Sequence, residues 1–160
     1  MPLTGPAPDA LRLKRTQEAL HGACLLCGSR NPAGFRLNFS ILQDGGVAAT
    51  AECPAHLQGY QGILHGGVTA ALLDSAMANC LFARGISAVT AEMFLKYKAP
   101  VICGTPVTVT ARLEKPYPPL YELAAEITQS GKIVALARAK FMESDFIPSL
   151  QTLPSNNDKI

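Results

Sequence analysis

The feature that most constrains this chain is one unbroken apolar segment, Val68 to Ala83, whose single charged residue is Asp74. A segment apolar on nearly every side must be wrapped by other structure or by lipid. It is shorter than the roughly 20 residues a membrane crossing needs, and Asp74 and Asn79 near its middle would be costly in hydrocarbon. The helical pattern runs from Gly67 to Arg84, with Gly85 where a C-terminal glycine cap belongs. At 1.5 Å per residue such a helix is roughly 27 Å long. It reads as the buried central helix of a water-soluble domain with no membrane partner.

The residues around it supply the wrapping. Asp9 is placed to cap a short amphipathic helix ending near His21. Phe35, Leu37, Phe39 and Ile41 alternate with polar neighbours, the period of a half-buried strand, and Asp44-Gly45-Gly46 turns the chain into a returning strand, Val47 to Glu52. After the helix the same alternation recurs over Val89 to Lys96, Val107 to Glu114, Tyr121 to Thr128 and Ile133 to Phe141. Ser130-Gly131 marks a tight hairpin, and Pro116 to Pro119 a looser turn. Short helix, two strands, long helix, four strands is an α+β order: an antiparallel sheet packed on one helix. The expected layout is a flexible 1–8, one domain over 9–146, and a loose tail over 147–160.

Composition narrows the function. Apolar residues make up 48% of the 160 and charged residues only 16%, which excludes a disordered chain and suggests surface covered by another subunit. The net charge is +2, no basic run exceeds Lys14-Arg15, and there is no Trp, so nucleic acid is not an expected partner. Five cysteines, an odd number, with no apolar leader before them, point to free thiols in a reducing cytoplasm. Cys24 and Cys27 with His21 make a partial zinc pattern. One Cys-x-x-Cys supplies two of four ligands, so these read as thiols packing a loop, with no metal expected.

Chemistry concentrates in Gly59-Tyr-Gln-Gly-Ile-Leu-His65-Gly66-Gly67 and in Asp74. Two glycines at a helix start leave the first amides unobstructed, where the helix dipole favours an oxyanion. A carboxylate inside an apolar helix is expensive unless paired, solvated or functional, and its natural place is a cleft, as general base or nucleophile.

His65-Gly66-Gly67 with Asp74 nine residues after the histidine, set in this strand order, resembles the hotdog-fold acyl-CoA thioesterases, in the branch related to the phenylacetate-pathway enzymes. The loop Cys24-x-x-Cys27-Gly28 with Asn31-Pro32-x-Gly34 is similar too. The likeness runs from about Gly34 to Met142. It implies a curved antiparallel sheet of about six strands wrapped round one long helix. It also implies a homodimer or dimer of dimers with sites at the subunit interface, and acyl-CoA as substrate without a cofactor. Carried over, Asp74 matches the catalytic carboxylate, Gly67 with Gly66 the carbonyl-polarising amide, and His65 the motif histidine. Thr90 matches a water-orienting hydroxyl supplied by the other subunit. Relatives often place Asn or Gln six residues before the histidine; here that residue is Gly59, with Gln58 beside it as a substitute. Lys96, Lys98 and Arg138 are candidates to meet coenzyme A phosphates. A non-catalytic acyl-CoA binder on the same scaffold is the competing expectation. A hotdog dehydratase needs a histidine about five residues after its aspartate, and no histidine follows Asp74.

Overall fold

The structure, a computed structural model, describes residues 6–147. Helix α1 spans Ala10–His21, its first turn capped by the Asp9 side chain, which accepts from the Arg12 amide at 2.8 Å. Strands β1 (Ser40–Ile41) and β2 (Val47–Ala51) follow, then helix α2 over Gly66–Phe82. The remaining strands are β3 (Val89–Tyr97), β4 (Val107–Tyr117), β5 (Leu120–Gln129) and β6 (Lys132–Met142). All pair antiparallel in one six-stranded sheet, ordered β1-β2-β4-β5-β6-β3. This is the α+β arrangement expected from the strand order, and the hotdog fold that the resemblance implies. The expected 1–8 and 147–160 ends fall largely outside the described residues. No described helix is long and apolar enough to cross a membrane.

Helix α2 sits in the concave face of the sheet, mainly against β4 and β5. The sheet meets it with Val107, Val109 and Ala111 of β4, Leu123, Ala125 and Ile127 of β5, and Ala135, Ala137 and Ala139 of β6. The alanines let the helix approach closely where larger residues would hold it off. Leu72 and Leu73 of α2 are fully buried there. Leu72→Ala should therefore cost about 2–5 kcal/mol of folding free energy by urea titration. A loss under about 1 kcal/mol would contradict this packing.

The first expected strand is not formed at full length. Residues 35–39 bury Leu37 and Phe39 without forming strand, and only Ser40–Ile41 join the sheet. Arg36 takes a positive φ of 52°, and the Phe35 and Leu37 amides bond to the Leu25 and Leu26 carbonyls of the preceding loop. That loop competes for the backbone groups a sheet partner would use. The expected turn over Pro116 to Pro119 is tighter than its prolines suggested, since β4 runs on through Tyr117.

Strand β3 departs in a more consequential way. Its register slips between Thr90 and Glu92. Simple alternation puts Thr90 on the face of Glu92, Phe94 and Lys96, away from the helix. The bulge opposes Thr90 to the buried Phe141 of β6 while Glu92 opposes Lys140, so Thr90 turns toward the helix side. Redirecting a side chain is what an extra residue in one strand does. β3 is also an edge strand, with Val89, Phe94 and Tyr97 among its exposed residues.

Candidate active site

Helix α2 begins at Gly66 because His65 stops the preceding chain with an extended backbone (φ −57°, ψ 134°) and caps the first turn with its ring. His65 Nδ1 accepts from the Gly67 amide at 2.9 Å. An accepting Nδ1 places the proton of the neutral ring on Nε2, making that exposed edge a donor. Gly67 was the expected carbonyl-polarising amide, and its N–H is spent on this cap. The Gly66 N–H donates to no acceptor among the described residues, and it is the helix-start donor left for a ligand. Of the two expected amides, Gly66 and Gly67, the free one is that of Gly66. The Gly66 carbonyl accepts from the Tyr97 hydroxyl at 2.8 Å, tying the helix start to β3. Sequence reasoning did not single out Tyr97; a tyrosine ending an edge strand carries no local signal of such a role.

Beside this helix start lies a cavity of about 670 Å³, lined by Tyr60, Ile63, His65, Gly66, Tyr97 and Lys98 among others. Its walls are mostly apolar, with donors gathered at the helix end, as befits a ligand with an apolar body and one polar group. Of the three candidate cations, Lys98 alone lines it. Lys96 and Arg138 sit in a separate depression on the outer face of the sheet, with Phe94 and Arg112.

The loop before His65 accounts for the other two candidates. A Cβ at Gly59 would lie 3.4 Å from His65 Cα and Cδ2, so that position is against the ring but brings no amide to it. Gln58 does not replace one at the cavity: its Oε1 accepts from the Gly62 amide at 2.9 Å and stays within the loop, outside the cavity lining.

Asp74 is half-buried on α2, and its Oδ1 accepts from Thr90 Oγ1 at 2.5 Å. Both groups belong to one chain, and the β3 bulge brings the hydroxyl to the carboxylate. The bond leaves Oδ2 and the remaining lone pairs for a water or a substrate. Asp74 is nevertheless eight residues beyond Gly66, an axial rise of about 12 Å. One carbonyl group cannot touch both within a single chain.

The geometry can be set against known proteins. Residues 61–115, from the helix start through Asp74 and Thr90 into β4, match the sequence profile of the Thioesterase superfamily. Over that stretch, about a third of its length, the chain is similar to the thioesterase superfamily. Acyl-coenzyme A thioesterase THEM4 of Rattus norvegicus is 38% identical over 60 residues, which are 38% of this chain and 26% of that one. Acyl-coenzyme A thioesterase 13 of Homo sapiens is 35% identical over 81 residues, covering 48% of this chain and 58% of that one. The chain thus spans little more than half the length of one of these curated relatives and about a quarter of the other. Among solved structures, a mutant of the phenylacetic acid degradation protein PaaI from Thermus thermophilus superposes with a TM-score of 0.61 at 28% identity, covering 68% of this chain and 93% of that one.

Proposed function

We propose that this chain is a homo-oligomeric acyl-CoA thioesterase that cleaves the thioester to a free acid and coenzyme A. The observation that carries the reading is the Asp74–Thr90 pair: the only charged residue of α2, half-buried and oriented by a hydroxyl that a bulge turns toward it. The match of residues 61–115 to the thioesterase superfamily profile and the names of the matched relatives support the substrate class.

In this reading the carbonyl oxygen sits at the Gly66 amide, where the N–H and the helix dipole stabilise the charge that develops on attack. His65 Nε2–H is a second donor at the same edge. Asp74, oriented by Thr90, takes a proton from water as the oxygen adds to the carbonyl carbon. Collapse of the tetrahedral intermediate breaks the C–S bond, and Asp74 returns the proton to the departing thiolate. The chain's own side chains suffice for every proton moved.

Because Asp74 and Gly66 are too far apart within one chain, the working site pairs Gly66 of one copy with Asp74 of another. The half-exposed stripe Ala70, Ala71 and Asp74 below Gly67, and the exposed Phe94 and Tyr97 of edge strand β3, are consistent with such pairing. They also give the low surface charge a physical cause.

The test is release of coenzyme A from a panel of acyl-CoAs, read with a thiol-reactive dye. Turnover well above an Asp74 variant supports the enzyme. Saturable binding with no release would favour a non-catalytic acyl-CoA binder, the reading that Gly59 in place of an amide motivates. Thr90→Val should lower kcat roughly ten- to a hundredfold, as expected for losing a hydrogen bond to a charged group. Its melting temperature should barely move, because Thr90 lies at the surface. An unchanged kcat would remove Thr90 from the mechanism.

A further inference from the structure

The thioester chemistry leaves one cluster of reactive side chains unused. His21, the last residue of α1, meets Cys24 and Cys27 of the following loop, and their ligand atoms all lie within 4.8 Å of one another. His21 Nδ1 stands 3.6 Å from Cys27 Sγ. A tetrahedral zinc with bonds of about 2.3 Å to sulfur and 2.0–2.1 Å to nitrogen requires a nitrogen–sulfur edge of about 3.6 Å and a sulfur–sulfur edge of about 3.8 Å. The His21–Cys27 edge already has that length, and the others need close by no more than about 1.2 Å.

We propose that His21 Nδ1, Cys24 Sγ and Cys27 Sγ bind one Zn²⁺ ion, with water as the fourth ligand. The histidine of the partial pattern, the last residue of α1, is brought to the two thiols by the fold of the loop.

The surroundings are those of a built site. The loop is folded back on itself by Cys24 N–H donating to the His21 carbonyl at 2.9 Å and Gly28 N–H to the Cys24 carbonyl at 3.0 Å. A Cβ at Gly28 would lie 2.3 Å from the Cys24 nitrogen, so only glycine permits this closure. The Leu26 amide donates to Cys24 Sγ at 3.4 Å, an interaction that strengthens when the sulfur is a thiolate. The His21 ring is held edge-on to Phe82 of α2, centroids 4.8 Å apart. Cys27 also borders a cavity of about 380 Å³ shared with Gln17 and Glu18, which gives water access as fourth ligand.

Burial lowers the pKa of His21, against an opposing pull from the Asp74 carboxylate. Burial pushes the Cys27 thiol up to about 11. Zinc binding by the two thiols would release two protons and change no oxidation state. The ion would fasten the end of α1 to the loop that feeds β1, a role distinct from the thioester site.

The test uses the full chain, purified without a histidine tag from zinc-supplemented cells and desalted under reducing conditions. Elemental analysis should find about one zinc per chain. His21→Gln and Cys24→Ser should each lower retained zinc at least about tenfold, while circular dichroism and elution volume stay those of the wild type. Cobalt(II) added to the metal-free protein should give an intense thiolate-to-cobalt band in the near ultraviolet, absent from Cys24→Ser. The band is a direct reading of sulfur ligation and does not depend on activity. Wild-type protein without zinc and without the cobalt band would overturn the proposal. So would zinc retained at wild-type level by Cys24→Ser, or an intact mass lighter by two hydrogens that places a disulfide between Cys24 and Cys27.

Discussion

Asp74→Asn should lower kcat for acyl-CoA hydrolysis by about 10²–10⁴-fold, the range for removing a positioned general base. The substitution keeps the shape of the side chain and an oxygen to accept the Thr90 hydroxyl, so the geometry around it survives. What it removes is the ability to take a proton from water. Affinity for the acyl-CoA should change only a few-fold, since the cavity at the helix start is untouched. Steady-state kinetics with equilibrium binding separates the two effects. A variant within tenfold of wild type would make Asp74 a structural acid.

Gly66→Pro tests the other half of the site, and the backbone makes it an unusually clean probe. Proline is tolerated at the first position of a helix, where its missing N–H has no helical partner. His65 already has the polyproline-like backbone that a residue preceding proline prefers. A Cβ at Gly66 meets nothing nearer than the Tyr97 hydroxyl, at 3.6 Å. The fold should persist, with the one free helix-start amide deleted. The expected loss is about 10²–10³ in kcat, as for removing one oxyanion donor. Gly66→Ala, which keeps the N–H, should retain at least about tenfold more activity than the proline variant. Equal losses in the two would show that bulk, rather than the amide, is what matters at Gly66.

Much of this molecule was legible in the sequence because it rests on periodicity. The central helix, the hairpin at Ser130-Gly131 and the four strands after the helix all follow from patterns that burial imposes, and each is present within a few residues. Asp74 was legible for the converse reason, as a charge that an apolar helix does not favour. What escaped depends on non-local competition. Leu25 and Leu26 draw the Phe35 and Leu37 amides away from the sheet, and no pattern within Phe35 to Ile41 reports that. The bulge that turns Thr90 toward Asp74 is invisible to strict alternation, which assigns Thr90 to the opposite face. The pair of helix-start amides, Gly66 and Gly67, was legible, but that the His65 ring caps the Gly67 N–H and leaves Gly66 free is a side-chain detail no pattern reports. His21 was three residues from a Cys-x-x-Cys in sequence, but only the loop closure at Gly28 brings its ring to the thiols.

The central claim is that each site joins the Gly66 amide of one copy to the Asp74 carboxylate of another. Co-expression of differently tagged Asp74→Asn and Gly66→Pro chains, with purification of the mixed dimer, tests it most directly. If sites form between copies, one of the two in the mixed dimer contains both intact groups, and its kcat should recover to about half that of the wild-type dimer. If each site lies within one chain, every chain in the mixed dimer carries a defect, and activity as low as that of the two parent variants would contradict the account.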